Sequence, residues 1–130
     1  MRKLYTIERF EIINQELHFI LNEKELQIQL EATGQVIVDS DNESFLYIVE
    51  ENNAYSYISF SKELWPQLLQ MILTKQTPYL TWNTGRIELT NFVEELNMLL
   101  FNIEGNGNYG ELFVAAVEQQ FSRFFALNEV

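Results

Sequence analysis

The sequence predicts a single α+β domain over residues 1–130, in which a mainly antiparallel sheet is covered by three helices. Three observations lead to this fold class. Residues 1–60 alternate short apolar stretches with polar turns, which is typical of antiparallel strands. A hairpin pattern follows at Tyr79 to Leu89, and three later stretches have apolar residues at helical spacing. A chain of this length that is 47% apolar can bury one core.

The strands are predicted from short apolar stretches. In the N-terminal half these are YTIERFEII (5–13), LHFIL (17–21), LQIQL (26–30), VIV (36–38), FLYIV (45–49) and AYSYISF (54–60). LQIQL alternates strictly, whereas FLYIV is continuously apolar, so we expect both faces of the latter to be covered. The hairpin pairs YLTW with RIEL across the sequence NTG, where Gly85 is available for a positive φ.

The first helix is predicted from SKELWPQLLQMILTK. Ser61 is a plausible N-cap, but Pro66 lies too far in for one regular helix starting at Lys62. We therefore expect an irregular turn through Trp65 and a regular helix from about Pro66, where the missing N–H costs nothing. Apolar residues cover more than half of its circumference, so it should be buried on more than one side, by its own chain or by another.

Two further helices are predicted, NFVEELNMLLFNI and ELFVAAVEQQFSRFFAL, and we expect them to form a helical hairpin. In the first of these, Asn91 and Glu94 resemble a capping box. Its apolar residues share one face, apart from Met98 and Phe101, which fall on the opposite and otherwise polar face. Such outlying apolar residues are candidates for a partner surface.

The sequence NIEGNGNYGE, between these helices, contains G-x-G-x-x-G at Gly105, Gly107 and Gly110. A dinucleotide-binding loop requires a preceding strand and a following βαβ unit, but the preceding stretch here is helical. We therefore interpret it as a helix–helix corner, in which Gly105 takes the left-handed conformation and Asn108 caps the next helix. Asn108 and Tyr109 remain exposed donors and acceptors, and the N–H groups that begin the last helix could hold an anion.

Composition disfavours several classes of function. With 19 acidic and 8 basic residues the formal net charge is −11, so we expect no nucleic-acid partner. The chain has no cysteine, which removes disulfides and thiol chemistry. It has no apolar run long enough to span a membrane and no secretory signal pattern, so we expect a cytoplasmic protein without a membrane partner.

Candidate catalytic and metal-binding residues are few. His18 is the only histidine, and it lies within a predicted strand. The sequence from Asp39 to Glu50 has acidic residues at positions 1, 3, 5 and 12 of a calcium loop, but Ser44 replaces the glycine at position 6. We interpret it as an acidic turn, leaving open whether Asp39 to Glu43 binds a cation. The sequence favours a non-enzyme and predicts no cofactor and no metal.

The aromatic residues suggest two functions. The leading hypothesis is a non-catalytic protein-interaction or regulatory module that binds a protein partner or self-associates; its candidate residues are Trp65, Met98, Phe101, Asn108 and Tyr109. The alternative is a small-ligand or anion-binding domain whose pocket is walled by Tyr55, Tyr57 and Trp82.

Three stretches carry a resemblance to a known family: VDSDNESFLYIVEE, SKELWPQLLQ and RIELTNFVEELNMLLFNIEGNGNYGE. From about Gly34 to Glu111 the chain resembles a family of small acidic proteins from Bacillus-type Gram-positive bacteria that has no assigned function. The WP step and NIEGNGNYGE are the most specific parts. The resemblance implies a cytosolic bacterial protein and carries over no catalytic or binding residue.

Overall fold

A computed structural model describes residues 3–21 and 29–128. The strands are β1 (Lys3–Ile13), β2 (Glu16–Leu21), β3 (Glu31–Asp39), β4 (Ser44–Glu51), β5 (Ala54–Ser61), β6 (Tyr79–Trp82) and β7 (Gly85–Glu88). The helices are α1 (Trp65–Thr74), α2 (Phe92–Ile103), α3 (Glu111–Gln120) and α4 (Ser122–Leu127), with 3₁₀ turns at Ser40–Asn42, Lys62–Leu64 and Gly107–Tyr109. The α+β class is confirmed. Most of the predicted LQIQL strand lies outside the described residues, and β3 begins at Glu31, earlier than predicted.

The seven strands form one mixed sheet in the order β3-β4-β5-β1-β2-β6-β7. Strands joined by short turns pair antiparallel, as predicted, but β1 pairs parallel with β5 and β2 pairs parallel with β6. The prediction of a mainly antiparallel sheet therefore needs correction. The physical reason is that the β1–β2 hairpin lies between the other two groups of strands, and this placement depends on long-range contacts.

The core lies between one face of the sheet and the helices. Alternate residues of β4 point into it, namely Phe45, Tyr47 and Val49, whereas Leu46 is buried on the opposite face. The ring of Trp65 at the start of α1 lies 5.4 Å from the ring of Phe45. Because α1 contacts α2, α3 and α4, its wide apolar surface is buried by its own chain.

The position of α1 was predicted correctly from the residues at its start. A 3₁₀ turn at Lys62–Leu64 precedes the helix, and Pro66 lies in its first turn, where no intrahelical donor is required. Two predicted caps do not form: the side chains of Ser61 and Asn91 make no capping hydrogen bond. Asn91 instead has φ of 65° and donates from Nδ2 to the carbonyl of Gly34 at 3.1 Å.

The last predicted helix is divided into α3 and α4 at Phe121. The predicted antiparallel packing of the two C-terminal helices is not confirmed. The end of α2 contacts the second half of α3 and also α4: Gly105 N–H donates to Glu118 at 2.8 Å, and the ring of Phe101 lies 5.2 Å from that of Phe124.

Tyr47 joins β4 to β3 and to the start of α2. Its ring is fully buried and its hydroxyl donates to the carbonyl of Thr90 at 2.7 Å. The same oxygen accepts the N–H of Gly34 at 3.2 Å. Gly34 has φ of +77°, and the β3–β4 register shifts between Ala32 and Gln35. One hydroxyl group therefore satisfies two backbone groups from separate elements.

Candidate interaction surfaces

The first candidate surface lies where α2 meets α4, and we call it the α2–α4 patch (Met98, Phe101 and Leu127). These side chains are 49%, 46% and 67% exposed, respectively. Phe101 rests on α4, with its ring 5.2 Å from that of Phe124 and 6.3 Å from that of Phe125. Leu127 follows Phe124 by one helical turn on α4. The two outlying apolar residues of α2 thus lie at the surface above a buried aromatic pair.

Acidic side chains flank the α2 part of this patch. Residues three or four apart on a helix share a face, so Glu94, Met98, Phe101 and Glu104 form one stripe. Glu94 and Glu104 are exposed. They are ten residues apart, or about 15 Å along a helix. The stripe therefore presents two apolar side chains between two carboxylates.

The second candidate surface is a groove between the β1–β2 hairpin and α1, which we call the hairpin groove. Its volume is about 330 Å³. It is lined by Phe10, Ile12, Gln15, Leu17, Gln67, Gln70, Met71, Thr74 and Gln76. None of these side chains is charged. Phe10 and Ile12 are exposed, whereas Met71 is buried beneath them.

A strand edge lies beside this groove. β1 pairs with β5 from Lys3 to Thr6 and with β2 from Ile7 to Ile13. Among the described residues, no strand lies beside Arg9–Ile13 on the side where β5 would continue. The edge arises because the chain leaves the sheet after Ser61 and turns into α1.

Sequence reasoning did not single out this second surface. A signal was present: Ile12 and Ile13 are adjacent, and neighbouring residues in a strand point to opposite faces. Both cannot enter the same core, and the structure places both at the surface, 64% and 41% exposed.

The glycine-rich corner and the acidic turn, which were considered separately in the sequence, come together. They line a cavity of about 290 Å³, formed by Ser40, Asp41, Glu43, Tyr109, Gly110, Glu111, Leu112 and Phe113. Three carboxylates in the lining, those of Asp41, Glu43 and Glu111, disfavour an anion at the start of α3. Asn108 does not cap α3; its N–H donates to the side chain of Asn106 at 3.1 Å. Within the described residues, no group of three or more His, Cys, Asp or Glu side chains is arranged to hold a metal ion.

The remaining candidate residues are dispersed. Trp65 is fully buried, and its Nε1 donates to the carbonyl of Phe60 at 3.3 Å, so it presents no surface in the folded chain. Tyr55 and Tyr57 share the outer face of the sheet, opposite the core. Trp82 belongs to the core cluster. The structure does not bring these two tyrosines and Trp82 together as the walls of one pocket.

His18 is buried in a polar cluster on the outer side of the sheet. Its Nδ1 lies 3.1 Å from Oγ1 of Thr81, and its Nε2 lies 3.6 Å from a carboxylate oxygen of Glu16. The imidazole stacks on Tyr79 with centroids 5.0 Å apart. A hydroxyl, an imidazole and a carboxylate are thus adjacent, but these residues line neither of the two cavities described above.

Three tyrosines have perturbed pKa values. Burial raises the pKa of Tyr5 and of Tyr47, and a hydrogen bond with Glu16 raises the pKa of Tyr79. The hydroxyl of Tyr5 donates to Glu51 at 2.8 Å, and Ser56 donates to the same carboxylate at 2.9 Å. These are structural hydrogen bonds within the sheet.

None of the helices in the described part of the chain has the length and apolar character needed to cross a membrane. The cytoplasmic location and the absence of a nucleic-acid partner stay predictions.

Comparison with known proteins identifies relatives along most of the chain. Residues 5–121 match the family described as "Family of unknown function (UPF0738)". A UPF0738 protein of Lysinibacillus sphaericus is 44% identical over 126 residues, covering 97% of this chain and 99% of the relative. One from Staphylococcus epidermidis is 44% identical over 92 residues, covering 71% and 76%. One from Bacillus cereus is 39% identical over 106 residues, covering 81% and 86%. No solved structure matches the chain.

Proposed function

The chain belongs to the UPF0738 family, whose function is unknown, and we propose that it is a non-catalytic protein-interaction module that binds a partner through the α2–α4 patch. The observation that carries this proposal is the position of Phe101, which is supported from below by the α4 rings yet remains nearly half exposed. A supported aromatic ring presents a preorganised contact, and aromatic residues, phenylalanine among them, are enriched at protein interfaces.

The three side chains of the patch supply part of the free energy of binding. Completing the burial of a half-exposed phenylalanine contributes about 1 kcal/mol, and Met98 and Leu127 contribute similar amounts. The sum, about 3 kcal/mol, is less than the roughly 4.1 kcal/mol of a millimolar complex, so a partner that can be captured must also contact the surface beyond these three side chains. The partner that fits is a protein with an apolar cleft bordered by lysine or arginine side chains, which would meet Glu94 and Glu104.

The proposal can be tested by affinity capture from host cells with the intact chain as bait. Phe101→Asp and Met98→Asp place a charge in the patch and should each abolish capture of the partner, whereas Phe101→Leu should retain part of it. The matched control is Leu112→Asp, because Leu112 is 86% exposed and lies on α3, outside the patch. The captured partner should be released by salt, since the flanking contacts are ionic.

Thermal unfolding of each variant separates lost binding from lost folding. Met98→Asp is the more informative variant, because Phe101→Asp also removes the ring contacts of Phe101 with Phe124 and Phe125 of α4. If Met98→Asp and Phe101→Asp retain every partner that the unaltered chain captures, the α2–α4 patch is not the binding surface.

A second candidate function is the binding of a small apolar ligand, and it is favoured by the hairpin groove rather than by Tyr55, Tyr57 and Trp82. A volume of about 330 Å³ falls within the range of small-molecule sites. The absence of charge in its lining favours an uncharged ligand. A thermal-shift screen of neutral apolar compounds tests this candidate, since a ligand that binds the folded state raises the melting temperature.

A further inference from the structure

We propose that two copies of the chain pair along the open edge of β1 at Arg9–Ile13, forming one sheet across a two-fold axis and covering the hairpin groove. This inference is independent of the α2–α4 patch, which lies on other elements. It rests on three observations about the edge: its length, its lack of protection and its complementarity to itself.

The open edge is long and unprotected. In Arg9–Ile13, every second residue directs its backbone N–H and C=O away from β2, where the described residues supply no strand partner. Monomeric proteins protect such edges with proline, charged side chains (lysine above all) or a bulge. Arg9–Ile13 contains neither proline nor lysine, and the bulge of β1 lies before it, between Ile7 and Arg9. Its two charged side chains, Arg9 and Glu11, lie on the outer face and bind each other. The segment therefore has the properties of a strand that pairs with another chain.

The apolar faces of the edge match. Phe10 and Ile12 lie opposite Phe19 and Leu17 of β2, so both point to the core side of the sheet, at the hairpin groove. In an antiparallel pair about a two-fold axis at Glu11, Phe10 of each copy lies opposite Ile12 of the other. This register uses all five open residues. Moving the axis to Phe10 would place Ile12 of one copy opposite Glu8 of the other, outside the open segment.

The uncharged lining of the groove offers a basic partner nothing to pair with and does not exclude a second copy. The chain has a formal net charge of −11, yet no charged side chain lines the groove, so two acidic chains can meet there without burying a carboxylate in it. A basic partner would find no acid in the groove to pair with. The unfavourable contact is Glu11 opposite Glu11 of the other copy, and it is offset because Arg9 Nε lies 3.2 Å from Glu11 Oε1 within each chain.

Sedimentation of the full chain across a micromolar concentration series tests the proposal. The unaltered chain should show a monomer–dimer equilibrium that shifts toward dimer as salt is added, because salt screens the repulsion between acidic chains. Ile12→Lys should raise the dimer dissociation constant by roughly tenfold or more, since each dimer carries the buried charge twice. Glu11→Gln should lower that constant by roughly threefold, since it removes the central repulsion.

Two controls make the result specific. Leu112→Lys changes a more exposed residue on α3 and should leave the dissociation constant unchanged. Circular dichroism and urea unfolding must show that Ile12→Lys is folded; if it is not, Glu11→Gln still tests the register, because Glu11 is exposed and its partner Arg9 retains Glu8.

Four outcomes overturn the proposal: a monomer at every concentration, dimers that survive a folded Ile12→Lys, dissociation on adding salt, or a dissociation constant that Glu11→Gln leaves unchanged or raises. If the chain stays monomeric and 1-octanol slows hydrogen exchange at the amides of Phe10 and Ile12, the groove instead binds a small apolar ligand. Concentration-dependent protection of the Arg9–Ile13 amides without any ligand would support pairing of copies.

Discussion

Replacing Tyr47 with phenylalanine removes one oxygen atom and should destabilise the fold by about 2 kcal/mol. The oxygen makes two hydrogen bonds, one to the carbonyl of Thr90 at 2.7 Å and one from the N–H of Gly34 at 3.2 Å. Leaving a buried backbone group unpaired costs about 1–3 kcal/mol. Thr90 is exposed and its carbonyl can regain a partner from water, whereas Gly34 is half-buried, so its N–H dominates the cost.

The assay is urea unfolding, with the free energy of unfolding obtained by linear extrapolation. The slope should not change, because the phenylalanine ring keeps the packing against Phe92, whose centroid lies 5.3 Å away. Tyr55→Phe is the matched control, since Tyr55 is 61% exposed and should shift stability by no more than about 0.5 kcal/mol. If Tyr47→Phe is as stable as Tyr55→Phe, the hydroxyl does not connect β3 to α2 energetically.

Three further predictions concern backbone conformation, titration and a buried carboxylate. Gly105→Ala should lower the free energy of unfolding in urea by about 1 kcal/mol, because φ at Gly105 is +67°. Gly107 is equally uncrowded but has no positive φ, so Gly107→Ala should leave the free energy of unfolding unchanged, and equal losses in the two variants would contradict this reasoning. The stability that Tyr5 and Tyr47 contribute should be fully present below pH 10.0 and should be lost as the pH rises through their raised pKa values, because the unfolded chain loses those protons first. Thermal melts in alkaline buffers check this. Glu51→Ala leaves two hydroxyl donors without their acceptor and should lower the free energy of unfolding by about 2 kcal/mol, a loss that Glu50→Ala, at an exposed position, should not share.

Elements set by neighbouring residues were predictable from the sequence. The 3₁₀ turn before Trp65, the start of α1 at Trp65, within one residue of the predicted Pro66, and the left-handed Gly105 each follow from rules that operate within one helical turn. The exposure of Met98 and Phe101 also followed from the helical wheel, because the rest of that face is polar. The resemblance to a bacterial family is confirmed by the matches across residues 5–121.

Features that depend on distant residues were not predictable. The parallel pairing of Lys3–Thr6 with Ser56–Ser59 joins segments more than fifty positions apart, and no local pattern specifies it. Asn91 had the sequence of a helix cap, but its amide binds Gly34 across the fold. The hairpin groove combines a strand end with one face of α1, so its neutral lining becomes evident only after α1 is placed.

One edge of β1 pairs with β2, which follows it directly in the chain, and the other edge pairs with β5, which is synthesised much later. This order has a consequence for folding during synthesis. The β1–β2 hairpin can close as soon as Leu21 has been made, whereas the parallel pairing of Lys3–Thr6 must wait for Ser59. The β3–β4–β5 meander can also close by itself, so joining these two preformed pieces is a non-local step that we expect to be slower than the closure of either one. During that wait the Lys3–Thr6 part of β1 is open as well, and a nascent chain would be most exposed to misassembly with its neighbours on the ribosome until β5 emerges.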